Sequence, residues 1–279
     1  MKIKVIVLDI DGTLLNSEKK ISDLTKSALI QAQKNGVKII LASGRPTVGM
    51  LALTKELEMD KHHGLIVSFN GSQVVDCETH EILFNQTMPI NECQALLEHL
   101  KKFDIIPMIT REDVMYVQDV YKCNISIPNN PNFNVIQYES RGGSYKLCEV
   151  DDLATFADFP QNKILVAGSP EYLKENYLGM SAPFNGKLNS MFTASIYYEF
   201  TALGIDKAHA LDTVLKPLGI HRDEVISFGD GHNDISIINY AGIGIAMANA
   251  VEDLKQAANE ITLSNDEDGI YHSLKKYVL

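Results

Sequence analysis

The stretch from Lys4 to Leu15, KVIVLDIDGTLL, constrains this chain more than any other. Val5 to Ile10 is apolar and β-branched, interrupted only by Asp9, too short for a globular helix and right for a buried strand. A central parallel strand reads as a near-continuous apolar run because both of its faces are covered. Asp9 and Asp11 stand where that strand should end, followed by Gly12 and Thr13. A carboxylate buried there is costly unless something binds it. A cation and a bound phosphate would account for two.

The same rhythm recurs along the first part of the chain. Ser22 to Asn35 has helical spacing (Leu24, Ala28, Leu29, Ala32), with Ser22 as N-cap and Gly36 as stop. Val37 to Ala42 reads as a second strand, ending at Ser43-Gly44-Arg45-Pro46, after which Thr47 to Leu57 reads as a helix. Leu65 to Phe69 reads as a third, delivering Asn70-Gly71. Alternating strands and helices of this length predict a parallel sheet with crossover helices.

From Val74 the texture changes. Val74-Val75 and Ile82-Leu83-Phe84 read as a hairpin, Ile90 to Phe103 as a helix, Ile105 to Val117 as two short strands, and Asn129 to Asn134, with Pro131 within it and Pro128 just before, as loop. Lys163 to Ala167 reads as a strand and Glu171 to Leu178 as a helix. The α/β rhythm returns with a helix from Lys207 and a strand Val225 to Phe228 that ends in Gly229-Asp230-Gly231-His232-Asn233-Asp234. In open α/β sheets ligands bind outside the carboxyl ends of strands. One sheet built from both ends of the chain would bring Asp9, Asp11, Ser43, Asn70 and Asp230 to one edge. The expected fold is therefore α/β: a Rossmann-like parallel-sheet core over residues 1–83 and 190–279, with an inserted α+β cap domain over 84–189 standing over that edge.

Composition narrows the function. With 45% hydrophobic and 22% charged residues the chain can bury a sizeable core. A formal net charge of -11 argues against nucleic acid as a partner, since binding a phosphate backbone needs a basic surface. The 4 cysteines are scattered with no CxxC pair and read as reduced thiols. The N-terminal apolar run lacks a small-residue cleavage site, and no apolar run approaches the ~20 residues of a membrane span. A soluble, cytoplasmic protein, monomer or homodimer, is expected.

The polar clusters suggest phosphoryl chemistry. Asp9 is the candidate nucleophile, a carboxylate able to attack phosphorus and split one hard displacement into two easier ones. Asp11 would protonate the leaving oxygen and later take a proton from water. Asp9 and Asp230 suit Mg²⁺, which prefers carboxylates, waters and phosphate; Asp234 would orient a metal-bound water or the Lys207 ammonium. Ser43, Gly44 and Asn233 can donate to phosphate oxygens, and Lys207 can neutralise charge on them. Two positions stay open. Asn70-Gly71 reads either as a substrate contact or as a turn dipeptide, and Arg45 either as a ligand to substrate or as the partner of a carboxylate.

These clusters resemble the haloacid dehalogenase superfamily, and within it the Cof-type sugar phosphatases with a large insertion cap. The matching stretches are Asp9-Ile10-Asp11-Gly12-Thr13, Ser43-Gly44-Arg45, Lys207, Gly229 to Asp234, Ala241 to Met247 and Ser264 to Gly269. The resemblance implies a phosphatase with Asp9 as nucleophile and Asp11 as acid/base. It also implies Mg²⁺ held by the Asp9 side chain, the Asp11 backbone carbonyl and Asp230, with Asp234 beside them. Phosphate would meet the Ile10 N–H, Ser43, Gly44, Lys207 and Asn233. The substrate would be a small phosphoester, a sugar phosphate or phosphorylated cofactor; a sugar-phosphate mutase and a non-catalytic phosphoester-binding regulator are the alternatives.

Overall fold

The computed structural model describes residues 2–279, which divide into two compact units: the segment up to Asn85 with Asp206–Leu279, and Gln86–Ile205. The first unit opens with strand β1 (Val5–Leu8), helix α1 (Asp23–Lys34), strand β2 (Lys38–Ala42), helix α2 (Leu51–Glu56) and strand β3 (Leu65–Ser68). Strands β4 (Gln73–Asp76) and β5 (Ile82–Asn85) follow as an antiparallel pair. Ser22 caps α1 as its spacing predicts, its hydroxyl accepting the Thr25 N–H, and Gly36 turns the chain out at φ 86°. The helix expected over Thr47 to Leu57 begins as a 3₁₀ turn, Thr47–Met50, before α2.

The second unit contains helix α3 (Ile90–Leu100), β6 (Ile106–Arg111), β7 (Val114–Val117), β8 (Asn124–Ile127), β9 (Asn130–Asn134), helix α4 (Val135–Gly142), β10 (Lys146–Glu149), helix α5 (Leu153–Phe156), β11 (Lys163–Ala167), helix α6 (Pro170–Ser181), β12 (Leu188–Ala194) and β13 (Tyr197–Ala202). Six of these strands form a mixed sheet in the order β10-β7-β6-β11-β13-β12. On one face, Ile109, Ile164, Val166 and Phe200 share a core with Leu96 and Leu97 of α3 and Leu173 of α6. On the other, Met108, Met115 and Leu165 share a core with Ile125 of β8 and Val135 and Ile136 of α4.

Two expectations change here. Within the expected loop Asn129 to Asn134, residues Asn130–Asn134 form a strand: β9 pairs with β8 alone, and an edge strand tolerates Pro131 because its outer side needs no ladder donor. The insertion also runs to Ile205 rather than 189, because β12 and β13 pair with each other and β13 lies beside β11. Residues 190–205 thus belong to the second unit.

The first unit resumes with helix α7 (Lys207–Leu215), β14 (Val225–Gly229), helix α8 (Ile235–Tyr240), β15 (Ile243–Ala246), helix α9 (Glu252–Ala257), β16 (Glu260–Ile261) and helix α10 (Gly269–Tyr277). Its eight strands run β16-β15-β14-β1-β2-β3-β4-β5, parallel from β16 to β3. Alternation along β1 explains its unbroken apolarity. Ile6 and Leu8 share a core with Leu29 of α1 and Leu274 of α10, while Val5 and Val7 share one with Ala210 and Leu211 of α7. Among the described residues no helix is long and apolar enough to cross a membrane. The chain therefore leaves β1, β2, β3 and β14 at one edge, carrying Asp9, Ser43, Asn70 and Asp230.

Candidate active site

Asp9 follows β1 directly and is 6% exposed, tied into the sheet through its N–H to the Phe228 carbonyl at 3.1 Å. Lys207, the first residue of α7, is 1% exposed. Its Nζ donates to Asp9 Oδ1 and to Asp234 Oδ1, each at 2.6 Å. A lysine buried this completely requires partners. Burial alone would push its ammonium down, but Asp234 and Asp9 outweigh burial and hold its pKa above the ordinary value.

Asp230 closes the group. A ligand atom from each of Asp9, Asp230 and Asp234 lies within 4.8 Å of the other two. Burial, then the charge on Asp234, raises Asp9 well above the carboxylate range, against the pull of Lys207. Burial raises Asp230 to about 6, opposed by a hydrogen bond from Thr13. Three carboxylates facing one ammonium leave negative charge that a cation would relieve, and an all-oxygen set suits a hard divalent ion. Asp234 is already engaged on both oxygens: Oδ1 accepts from Lys207, while Oδ2 accepts the N–H groups of Asp230 at 3.1 Å and Gly231 at 3.0 Å. It anchors the ammonium and the loop.

Asp11 goes elsewhere. The strand ends at Leu8 and the chain is already turning at Ile10, and Asp11 meets Arg45, whose Nε and Nη2 donate to its two oxygens at 2.8 and 2.7 Å. Lys19 Nζ adds a third donor at 3.2 Å. Burial pushes the Asp11 carboxyl up, but the hydrogen bonds and charge of Arg45, with those of Lys19, hold it below the usual range. The Asp11 side chain thus lies outside the group formed by Asp9, Asp230 and Asp234, and the expected contact of Asp11 with a cation is through its backbone carbonyl, not this side chain. Of the two readings of Arg45, the structure presents the carboxylate partner.

The turn between them is built around Gly12. A Cβ there would stand 2.3 Å from Asp230 Oδ2, and Thr13 Oγ1 donates to Asp230 Oδ1 at 2.7 Å. Gly12→Ala should therefore destabilise the fold by at least about 1–2 kcal/mol from left-handed strain alone, read as a lower midpoint in thermal or urea denaturation. A midpoint equal to that of the unsubstituted protein would contradict this packing.

Ser43 and Gly44 lie at the end of β2. The Ser43 N–H donates to the Val67 carbonyl at 2.9 Å, its Oγ accepts the Arg45 N–H at 3.2 Å, and its carbonyl accepts the Asn70 N–H at 3.0 Å. Asn70, left-handed at φ 57° and buried, comes close enough to Gly44 that a Cβ on Gly44 would sit 3.1 Å from Asn70 Nδ2. Its Oδ1 accepts from Asn233 Nδ2 at 3.1 Å. Asn70 thus does more than turn the chain: it joins the β2 loop to the β14 loop. Ile10 is fully buried, and its carbonyl receives the N–H groups of Thr13 at 3.4 Å and Leu15 at 2.9 Å. The role of Thr13 escaped sequence reading, although Thr13 lies within the motif.

A family model for haloacid dehalogenase-like hydrolases matches residues 6–274. A crystal structure of a haloacid dehalogenase-like hydrolase from Bacteroides thetaiotaomicron superposes with a TM-score of 0.89 at 34% identity, covering 99% of both chains. The subclass IIB sugar phosphatase BT4131 superposes at 0.79 with 27% identity over 98% of each. The 5-amino-6-(5-phospho-D-ribitylamino)uracil phosphatase YcsE of Bacillus subtilis is 29% identical over 99% of this chain and 96% of its own length.

Proposed function

Because the chain belongs to the haloacid dehalogenase-like hydrolases and is a phosphatase, we propose that it is Mg²⁺-dependent and hydrolyses sugar phosphates or phosphorylated cofactors through an aspartyl-phosphate on Asp9. The observation that carries this reading is a buried carboxylate held at 2.6 Å by a buried lysine, beside a second carboxylate raised to about 6. Solved and curated relatives that act on sugar phosphates and on a phosphorylated ribityl compound support the substrate class.

Asp9 and Asp230 would hold Mg²⁺, with the Asp11 carbonyl as third protein ligand. Bound there, the ion supplies the positive charge that lets an anionic carboxylate approach an anionic phosphoryl group. Asp9 attacks phosphorus and the ester oxygen leaves. The Ile10 and Gly44 N–H groups, the Ser43 hydroxyl, Asn233 and Lys207 receive the phosphoryl oxygens, whose positioning carries most of the catalysis. Ionised Asp11 is poised for the second half, taking a proton from the water that attacks the phosphoaspartate. For the first half it must leave Arg45 and arrive protonated at the leaving oxygen.

The test is release of inorganic phosphate from p-nitrophenyl phosphate. Release should stop with EDTA and return with excess Mg²⁺; unchanged release in EDTA would overturn the metal requirement. On a panel of sugar and ribityl phosphates, free phosphate should match substrate consumed. Isomerised sugar phosphate with little free phosphate would instead favour a mutase.

A further inference from the structure

The two acidic loops are held together by a third segment to which the mechanism above assigns no role. Residues 247–251, between β15 and α9, run alongside the end of β14: the Met247 N–H donates to the Gly229 carbonyl at 3.1 Å and the Val251 N–H to the Asp230 carbonyl at 2.9 Å. From the middle of this segment Asn249 reaches the other loop, its Nδ2 donating to the Gly12 carbonyl at 2.8 Å. One five-residue stretch thus grips both the Asp230 loop by its backbone and the Asp9-Asp11 turn by a side chain.

The grip is doubled from the far end of the chain. Asn249 Oδ1 accepts the Asn265 N–H at 3.1 Å, and Asn265 Nδ2 donates to the Leu15 carbonyl at 2.9 Å. Asp266 accepts the Ser17 N–H at 2.7 Å. Each asparagine uses its side chain to satisfy a carbonyl of the turn, and the two are joined to each other. An amide that donates and accepts at once is what such a link needs. A Cβ on Gly12 would already stand 2.3 Å from Asp230, so a small drift of the turn changes its spacing from that carboxylate.

We infer that Asn249 and Asn265 are positioning residues that set the separation of the Asp9-Asp11 turn from Asp230, and hence how well the pair of loops holds a divalent cation. The clamp deepens the proposed metal reading and presupposes it. Partners that orient ligands in this way typically contribute about 10–100-fold in metal affinity or activity when lost.

The experiment is calorimetric titration of metal-free protein with Mg²⁺, alongside thermal denaturation of the same metal-free samples. Asn249→Ala should weaken Mg²⁺ binding about tenfold, and Asn265→Ala should weaken it in the same direction. The double variant should lose less than the product of the two, because both act through one link. The metal-free midpoint should stay within about 2 °C of the unsubstituted protein, which corresponds to under about 1 kcal/mol. Gln256→Ala, on the exposed side of α9, should bind Mg²⁺ as the unsubstituted protein does. Equal Mg²⁺ affinity in Asn249→Ala and unsubstituted protein overturns the clamp while leaving the metal reading standing. A lower metal-free midpoint with unchanged affinity overturns it too, since that is the signature of a merely structural contact. Failure of the unsubstituted protein to bind Mg²⁺ overturns both.

Discussion

Asp9→Asn should reduce phosphate release from an aryl phosphate by ~10⁴-fold or more, the scale on which enzymes lose activity when the nucleophile is removed. An amide keeps the size of the carboxylate and an oxygen for Lys207 Nζ, now 2.6 Å from Asp9 Oδ1. It cannot make an acyl phosphate. The fold should survive, because Asp9 sits among like charges: burial and Asp234 both raise its pKa, and neutralising it removes that repulsion. The midpoint of metal-free Asp9→Asn should equal or exceed that of the unsubstituted protein. Turnover within a factor of ten of the unsubstituted rate would remove Asp9 from the chemistry.

Lys207→Met carries the second large effect, on stability as well as turnover. The ammonium is buried with two carboxylate partners, and removing one member of a buried ion pair leaves uncompensated charge, at about 3–5 kcal/mol. Replacement by a methyl thioether of similar length isolates the charge from the packing. The sign of the pH dependence follows from the carboxylates. Asp9 and Asp230 bind protons more tightly in the folded chain than their ordinary values, Asp230 near about 6. Their favourable contribution is therefore complete below the unfolded carboxylate pKa and is lost as pH rises through the folded value. Metal-free protein should gain stability between pH 7.5 and 5, and Lys207→Met should gain more, since two carboxylates then lack their cation. Saturating Mg²⁺ should erase the gain in the unsubstituted protein, adding about 2.7 kcal/mol at a hundredfold excess over its dissociation constant. A stability curve that falls from pH 7.5 to 5 in the metal-free protein would contradict the raised carboxylates.

The parts of the fold and site visible in the residues alone are those where local sequence and burial point the same way. The run Val5–Leu8 is apolar because both of its faces are covered, and every one of its residues is buried. Ser22 caps α1 with a bond spanning three residues, so its pattern is local. Asp9, Asp230 and Lys207 would each be ordinary alone at a strand or helix end; they stand out because several polar clusters follow in order, each after an apolar strand. What stays hidden depends on the turn of a chain in three dimensions. Asp11 is two residues from Asp9 and would share its side on a continuing strand, but the strand ends at Leu8 and the chain turns at Ile10, so Asp11 meets Arg45 instead. Asn249 meets Gly12 across 237 positions, a contact that no spacing rule foresees. The end of the insertion is hidden too, because β13 carries Glu199 amid its apolar residues. That carboxylate is buried in an ion pair with Lys163 of the neighbouring strand, and the strand joins a sheet whose other members lie far back in the chain.

The most direct test is rapid acid quench during turnover, followed by peptide mapping for covalent phosphate. It should be run on the unsubstituted protein and on Asp11→Asn, in which loss of the acid/base slows breakdown of the intermediate. The account predicts phosphate on the peptide that carries Asp9, at that carboxylate, accumulating to a greater extent in Asp11→Asn. Phosphate on any other residue, or no covalent phosphate in either protein while phosphate is still being released, would contradict it.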